Sequence, residues 1–462
     1  MRVDLIEVDY PLMEIPPEIP RVPTETYQQR VKDLQGKMGA VGLTHVIVYA
    51  DREHFANLKF LTRFDPRFEE ALLIVPAEGK PILVVGNEGL DYAAIAYIPV
   101  DVVLYHPFSL QGQPRRSEHS LVSILAKAGI NKDSCIGVVG HKYMENDEFG
   151  DPEQVSDLPS YLVDTFRGLV GKSGLRNVTQ WFTHPTTGLR IPLTVDEIAR
   201  CEVIGLKVYN GFRAALNAMK IGVSEVELGA QLGYDGQIPL SCHIAIGFGE
   251  HGQMGLASPT LRKLEHGEFV SMGFGVWGAN IARSGIAVAH PNELPEEIND
   301  ALDRVYIPYF KALLAWYQSI RVGVTAGEVY ESVRGLMEDS FFGITLNAGH
   351  QARDEEWINS PFAPGARETL VSGTLLQCDI IVGGTPPYSG IHTEDTLAIA
   401  DAGLRKELQE KYPAVWSRIV ARKQRMAELG YELHADVLPL SDMQGCVAPF
   451  LLQPNLVLAL GR

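Results

Sequence analysis

Two apolar rhythms alternate along the chain. Short β-branched runs stand at 44–50 (THVIVYA), 70–76 (EALLIVP), 80–86 (KPILVVG), 100–106 (VDVVLYH) and 134–140 (SCIGVVG). Each is continuous and bounded by Gly, Pro or polar residues, which predicts buried strands. The spacing turns helical from Thr24 (YQQRVKDLQGKMGAVG, stopping at glycine) and again near 115–129. Strands alternating with helices predict an α/β layer, ending near 185 at the turn-rich THPTTG.

A second region opens at Thr194. Its hydroxyl and Glu197 three residues on form a capping-box pattern, which predicts a helix running on through 197–220. Lys220-Ile-Gly-Val-Ser224-x-x-Glu227-Leu228 then recurs as Arg321-Val-Gly-Val-Thr325-x-x-Glu328-Val329. In both copies a helix ends on a basic residue, turns at glycine and restarts on a capping box. The echo predicts two similar halves about a pseudo-two-fold axis, with a site between them.

G-x-G-x-x-G occurs at 247–252 and 273–278. A dinucleotide site needs this motif to end a strand and open a helix, whose N-terminus holds the pyrophosphate. The first copy reads on into a loop and the second into another strand, so both are read as turns.

Composition narrows the class. The 462 residues are 46% hydrophobic and 21% charged, as in a soluble multidomain protein. Forty Lys+Arg against fifty-seven Asp+Glu give a net charge of −17. That excess disfavours nucleic acid and anionic membranes as partners. Asp4, Glu7 and Asp9 occupy the place of a signal peptide's apolar core, so a cytoplasmic protein is expected. Five scattered cysteines without C-x-x-C predict reduced thiols, with Cys242 and Cys378 as minor catalytic candidates.

Six segments in order resemble the pita-bread family of creatinase, prolidase, aminopeptidase P and methionine aminopeptidase. They are LRIPLTVDEIARCEVIG, ASPTLRKLEHGEFVSMGFGVWG, IRVGVTAGEVYESVRGLME, NAGHQ, SGTLLQCDIIV and SGIHTEDTLAIAD. FANLKFLTRFDPRFEEALLIVP is similar to the N-terminal domain of the creatinase and prolidase branches. The resemblance implies an α/β N-terminal domain of creatinase type. It implies an α+β pita-bread C-terminal domain with a curved antiparallel sheet and a pseudo-two-fold repeat. The expected segments are an arm (1–23), the N-terminal domain (24–190), the pita-bread domain (191–402) and a helix-bearing tail (403–462). A homodimer is expected.

Metallopeptidases of this family hold two divalent metals on Asp, Asp, His, Glu and Glu. Carried over, these positions fall on Gly273, Ser284, His350, Asp379 and Glu394. The loss of two carboxylates argues against a dinuclear centre. Creatinase, which works without metal, is the nearest in character, although its proton-shuttling His matches Ala257 and one of its active-site Glu residues matches Ser284. The expected function is therefore metal-independent hydrolysis of a C–N bond in a small nitrogenous, cationic compound, with no cofactor. His350, Glu394, Asp379 and His392 are the candidate acid-base residues. Glu356, Asp354, Arg67, Phe68, Ser284 and His243 are the candidate substrate contacts. Two alternatives stand beside this. One is a peptidase of Xaa-Pro type with a single divalent metal on His350, Asp379 and Glu394; the other is a non-catalytic binding protein.

Overall fold

The computed structural model of the chain describes residues 2–114, 119–145, 148–336, 339–343 and 348–461. Residues 115–118, 337–338 and 347 of the segments singled out above lie outside the described residues. The chain divides into two units, Val22–Arg190 and Met1–Arg21 with Ile191–Arg462.

In the first unit the β-branched runs become one sheet, ordered Asp101–Leu104, Ile82–Val85, Ala71–Pro76, His45–Ala50, Ile136–Val139, Leu175–Asn177. The pairings flanking Ala71–Pro76 are antiparallel and the others parallel. Continuous apolar runs suit strands covered on both faces. Val46 and Val48 pack towards helices Thr24–Val41 and Ala56–Thr62, while Ile47 and Tyr49 join Leu125 and Phe166 on the opposite face.

In the second unit, helix Val195–Asn217 starts on the Thr194–Glu197 capping box. An antiparallel sheet is ordered Ala245–Phe248, Phe269–Val276, Ala279–Ile286, Thr393–Ile399, Leu375–Gln377, His350–Gln351 among the described residues.

The sequence echo is a structural repeat. Ser224 and Thr325 both cap helices with a complete capping box. Gly222 and Gly323 precede them at φ 85° and 83°. Each glycine N–H donates to one leucine carbonyl, Leu264 and Leu370, at 2.8 Å. Those leucines return N–H bonds to Val223 and Val324.

The first G-x-G-x-x-G departs from expectation. It does end a strand and open a helix, Gly249–Gln253, only five residues long. The Glu225 carboxylate sits at its start, accepting the Phe248 N–H at 2.9 Å, so an internal anion occupies the position a phosphate would take. The second copy is the hairpin Phe269–Val276/Ala279–Ile286.

Arm and tail are built into this unit rather than appended to it. Val3–Glu7 pairs with Leu456–Leu460. Asn210 reads the Met13 backbone N–H and C=O, both at 2.8 Å. Helix Pro413–Glu428 sends Arg418 and Arg422 to the buried Glu202. No described helix is long and apolar enough to cross a membrane.

Candidate functional site

Strand alternation decides which side chains meet. Directly paired residues share a face, as do residues two apart. The register pairs Gly273 with Ala282, Ala282 with Glu394, Gln377 with Thr396 and His350 with Gln377. One face therefore carries Gly273, Gly275, Asn280, Ala282, Gln377, Glu394 and His350. The opposite face carries Met272, Phe274 and Ile281, which belong to the apolar core.

His350, Asp379 and Glu394 converge and are all buried. Gly349 makes this approach feasible. Its N–H donates to the Asp379 carbonyl at 2.8 Å and its φ is 94°. A Cβ there would stand 2.7 Å from the Gln377 carbonyl oxygen. One ligand-type atom from each of the three residues lies within 4.8 Å of the others.

The spacing is informative. His350 Nε2 is 3.6 Å from Glu394 Oε1 and 3.8 Å from Asp379 Oδ2. Those separations are too long for a hydrogen-bonded imidazole–carboxylate pair. Asp379 Oδ1 and Glu394 Oε1 are buried without hydrogen-bond partners. His350 Nδ1 faces the Gln351 carbonyl at 3.4 Å. A proton on Nδ1 is therefore the consistent tautomer, and the Nε2 lone pair points at the carboxyl groups. Trp357 stacks on the imidazole, ring centroids 4.2 Å apart and planes at 21°.

Burial sets the protonation. It pushes the Asp379 and Glu394 carboxyls well above the usual range; Glu394 raises Asp379 further, and Glu356 raises both. It lowers His350, against the pull of Asp379 and Glu356. Without a cation, both acids and the imidazole lean towards neutrality.

Residues 202–401 match the model of metallopeptidase family M24. The match lies within the C-terminal unit. Its half-barrel sheet has the pita-bread fold of creatinase, prolidase and aminopeptidase P. A prolidase from Thermococcus sibiricus matches at TM-score 0.63 and 18% identity, covering 81% of this chain and 95% of that one. Dipeptidase PepE from Mycobacterium ulcerans matches at 0.62 and 16%, covering 82% and 95%. Aminopeptidase PepP from Pseudomonas aeruginosa matches at 0.58 and 14%, covering 83% and 94%. Identities this low speak for the fold alone. No curated protein matches the chain.

The register sets one more residue, Ala282, on the face that carries Gly273, Ser284 and Glu394. The turn at Trp277-Gly278 is only two residues long, so Ala282 rather than Ser284 faces Gly273 and Glu394. Ser284 is spent on the ladder, where its Oγ accepts the His392 N–H at 2.9 Å. None of Gly273, Ala282 and Ser284 carries a carboxylate. A Cβ on Gly273 would meet only Ala245 and Ala282, at 3.8 Å. The residues present do not fit a dinuclear centre. They do fit one cation, because ligand atoms about 2.1 Å from a common ion at tetrahedral angles stand about 3.4 Å apart.

The remaining candidates separate. His392 lies on the same strand face as Glu394, about 7 Å along. Burial, then Arg283, drops its pKa to about 4, leaving a neutral imidazole and a weak base. The acidic run splits: Glu356 acts on His350, Asp379 and Glu394, whereas Asp354 acts on Cys201 and Arg353 and does not join them. His243 is exposed and bonded to the Leu256 carbonyl. Cys378 is fully buried, with its thiol pushed well up by burial, which suits an inert core thiol. Arg67 and Phe68 belong to the other unit, where Arg67 donates to Tyr92 Oη at 2.9 Å and Phe68 is exposed.

Three residues went unnoticed in the sequence reading: Ala282, Asn280 and the placement of Cys242. Asn280 Nδ2 donates to Glu356 Oε1 at 3.3 Å. The Cys242 thiol lies 3.7 Å from His243 Nδ1. Counting alternate positions back from Ser284 would have exposed Asn280 and Ala282, once the hairpin length was known.

Proposed function

We propose that this chain is a hydrolase of C–N bonds in small nitrogenous compounds, working with one divalent cation on His350, Asp379 and Glu394. The observation carrying this is the spacing of His350 Nε2, 3.6 and 3.8 Å from two carboxylates, beside two unpartnered buried oxygens. The prolidase, dipeptidase and aminopeptidase named among its structural neighbours support an amide C–N bond as the target class.

When bound, the cation supplies Lewis-acid polarisation of the scissile carbonyl. The residues do the rest. The Gln351 carbonyl, 3.4 Å from His350 Nδ1, favours the tautomer whose Nε2 would hold the ion. Asp379 and Glu394, as carboxylates, would hold the ion and balance its charge. Trp357 covers the imidazole and holds it against rotation. Gly273 and Ala282 offer no charge to a second ion.

The metal-independent reading keeps one observation in its favour. Two acid positions are gone, and burial alone can keep Asp379 and Glu394 protonated as general acids. Metal analysis of protein purified without chelator separates the two. One equivalent of Mn, Zn, Fe or Co per chain, lost in His350→Ala and Asp379→Ala, is expected. Amide or amidine hydrolysis that persists in excess chelator, in protein free of metal, would replace the first reading by the second.

A further inference from the structure

The first unit carries a histidine pair at the carboxyl end of its sheet, away from every residue of the candidate site. Strands His45–Ala50 and Ile136–Val139 are parallel neighbours. The helix that follows the first, Ala56–Thr62, packs on the face that holds Val46 and Val48. The helix that follows the second, Ser160–Val170, packs on the face that holds Ile47. Two adjacent parallel strands thus hand the chain to opposite faces, the topology that opens a ligand crevice beyond the strand ends of α/β sheets. Asp51 and His54 stand just past the first strand, and Gly140 and His141 just past the second.

Each histidine is held by an aspartate. Asp51 Oδ1 accepts the backbone N–H groups of Glu53 and His54, at 2.9 and 2.7 Å. Its Oδ2 stands 3.1 Å from His54 Nδ1, so the carboxylate takes the Nδ1 proton and Nε2 carries the lone pair. Asp157 Oδ2 accepts the backbone N–H groups of His141 and Lys142, at 2.9 and 2.8 Å. Gly140 donates to Thr179 Oγ1 at 2.9 Å and accepts from Asn57 Nδ2 at 2.7 Å, and both partners are buried. Only glycine fits there, because a Cβ would overlap the Asp157 carboxylate. The two imidazoles end up 4.5 Å apart, centre to centre, with their planes at 40°. Two imidazoles on one ion stand about 5 Å apart, given metal–nitrogen bonds of about 2.1 Å. The Asp51 hydrogen bond, against burial, raises the His54 pKa, and the Asp51, Asp157 and Glu53 charges add to it, so the surroundings favour a cation.

We infer that His54 and His141 form a binding site for a borderline divalent transition-metal ion, Zn or Cu(II), with water completing its coordination. Imidazole nitrogen selects such ions over Mg and Ca. Asp51 is the positioning residue that sets the His54 ring and tautomer, and Asp157 fixes the backbone that carries His141. A bound ion ties together the loops that leave the two strands. With only two protein ligands it exchanges on gel filtration, so it is read by titration and not in the metal content of purified protein. The site lies wholly within Val22–Arg190 and is independent of the hydrolase reading.

The test uses tag-free full-length protein, stripped with chelator and titrated with ZnCl2 by isothermal calorimetry near neutral pH. His350→Ala, which removes the other candidate ion, should still bind one equivalent. Adding His54→Ala or His141→Ala to it should weaken that equivalent by about tenfold or more, and adding Asp51→Asn by about tenfold. Electron paramagnetic resonance of bound Cu(II) should show two nitrogen ligands in His350→Ala and one after either further change. In the wild-type background, where His350 is left untouched, His54→Ala and His141→Ala should each lower total zinc by one equivalent. The His54 side chain is 42% exposed, so His54→Ala should keep the far-UV circular dichroism spectrum of its parent. Zinc binding that is lost entirely in a folded His350→Ala protein, or that neither His54→Ala nor His141→Ala weakens, overturns the site. One equivalent that depends on His54 and His141 but not on His350 upholds it, and would leave the His350 ion unsupported.

Discussion

Ala282 stands directly across the strand pair from Glu394, a methyl group beside one of the buried acids that define the site. Gly273 faces Ala282 from the other side. Together they form an apolar floor beside Glu394. The space remains open, because a Cβ at Gly273 makes only ordinary contacts at 3.8 Å. Replacing both, as Gly273→Asp with Ala282→Asp, should therefore create a second ion position. Metal analysis is expected to rise from one to two equivalents per chain. The metal-stripped double variant should melt below wild type, since two acids are buried uncompensated, and regain stability with added Mn or Zn. Gly273→Asp with Ser284→Asp should stay at one equivalent, because Ser284 lies two residues beyond the position that faces Gly273. Two equivalents there, and one in the Ala282 pair, would sink the register argument.

The same acids make the metal-stripped protein sensitive to pH. Burial raises Asp379 and Glu394 in the folded state above their unfolded values. A raised carboxyl contributes stability that is fully present below the unfolded pKa and lost as pH rises through the folded one. Asp379→Asn removes one such group and keeps the neutral shape. In the presence of chelator, the melting temperature of Asp379→Asn relative to wild type should thus climb between about pH 5 and pH 8. Saturating metal should invert the comparison, because ion binding displaces the protons and favours the wild type. A difference independent of pH in chelator would mean these carboxyls are not held protonated.

How much of this could be read beforehand depends on what each feature requires. The capping boxes at Ser224 and Thr325 are local: hydroxyl, spacing and Glu are all in the sequence, and the repeat followed from them. His350, Asp379 and Glu394 were named from motif resemblance, and the fold brings them together. Ser284 does share the face of Gly273, but Ala282 as the direct partner depends on turn length, which a motif count does not carry. Asn280 stayed hidden for the same reason. Asp354 and Glu356 are indistinguishable in a run of three acids. The backbone sends one towards Arg353 and the other towards the site. The tail's helical character was legible in the sequence, but its partners, Glu202 and Asp395, were not, because they are distant in sequence.

Behind the site, the sheet is pinned by one buried ion pair. Arg283 reaches both oxygens of Asp395, at 2.9 and 2.8 Å, and the Met443 carbonyl at 2.6 Å. The Gly445 N–H returns to Asp395 at 2.8 Å, so the tail loop closes on the same pair. Removing one partner strands the other charge. Asp395→Ala should lower unfolding free energy by about 3–5 kcal/mol, measured by urea denaturation. The double change Arg283→Met with Asp395→Leu should cost clearly less than the single change, because no charge is left unpaired. Additive losses would show the two side chains to be independent.

Gly349 offers the most direct separation of site from scaffold. Its φ of 94° disfavours any Cβ, and a Cβ would press the Gln377 carbonyl oxygen at 2.7 Å and the Trp316 ring at 3.1 Å. Trp316 is fully buried and its indole N–H is committed to the Ala348 carbonyl, so it cannot easily yield. The strain falls on the backbone that carries His350 and holds the Asp379 carbonyl. Gly349→Ala should cost about 1–3 kcal/mol in strain. Its larger effect should be on the ion, since a shift of some tenths of an ångström misplaces Nε2 relative to two carboxylates. Metal affinity, read by competition with a chromophoric chelator, is expected to fall at least tenfold while the far-UV circular dichroism spectrum stays that of wild type. Unchanged affinity in a folded Gly349→Ala protein would mean that His350 does not hold the ion.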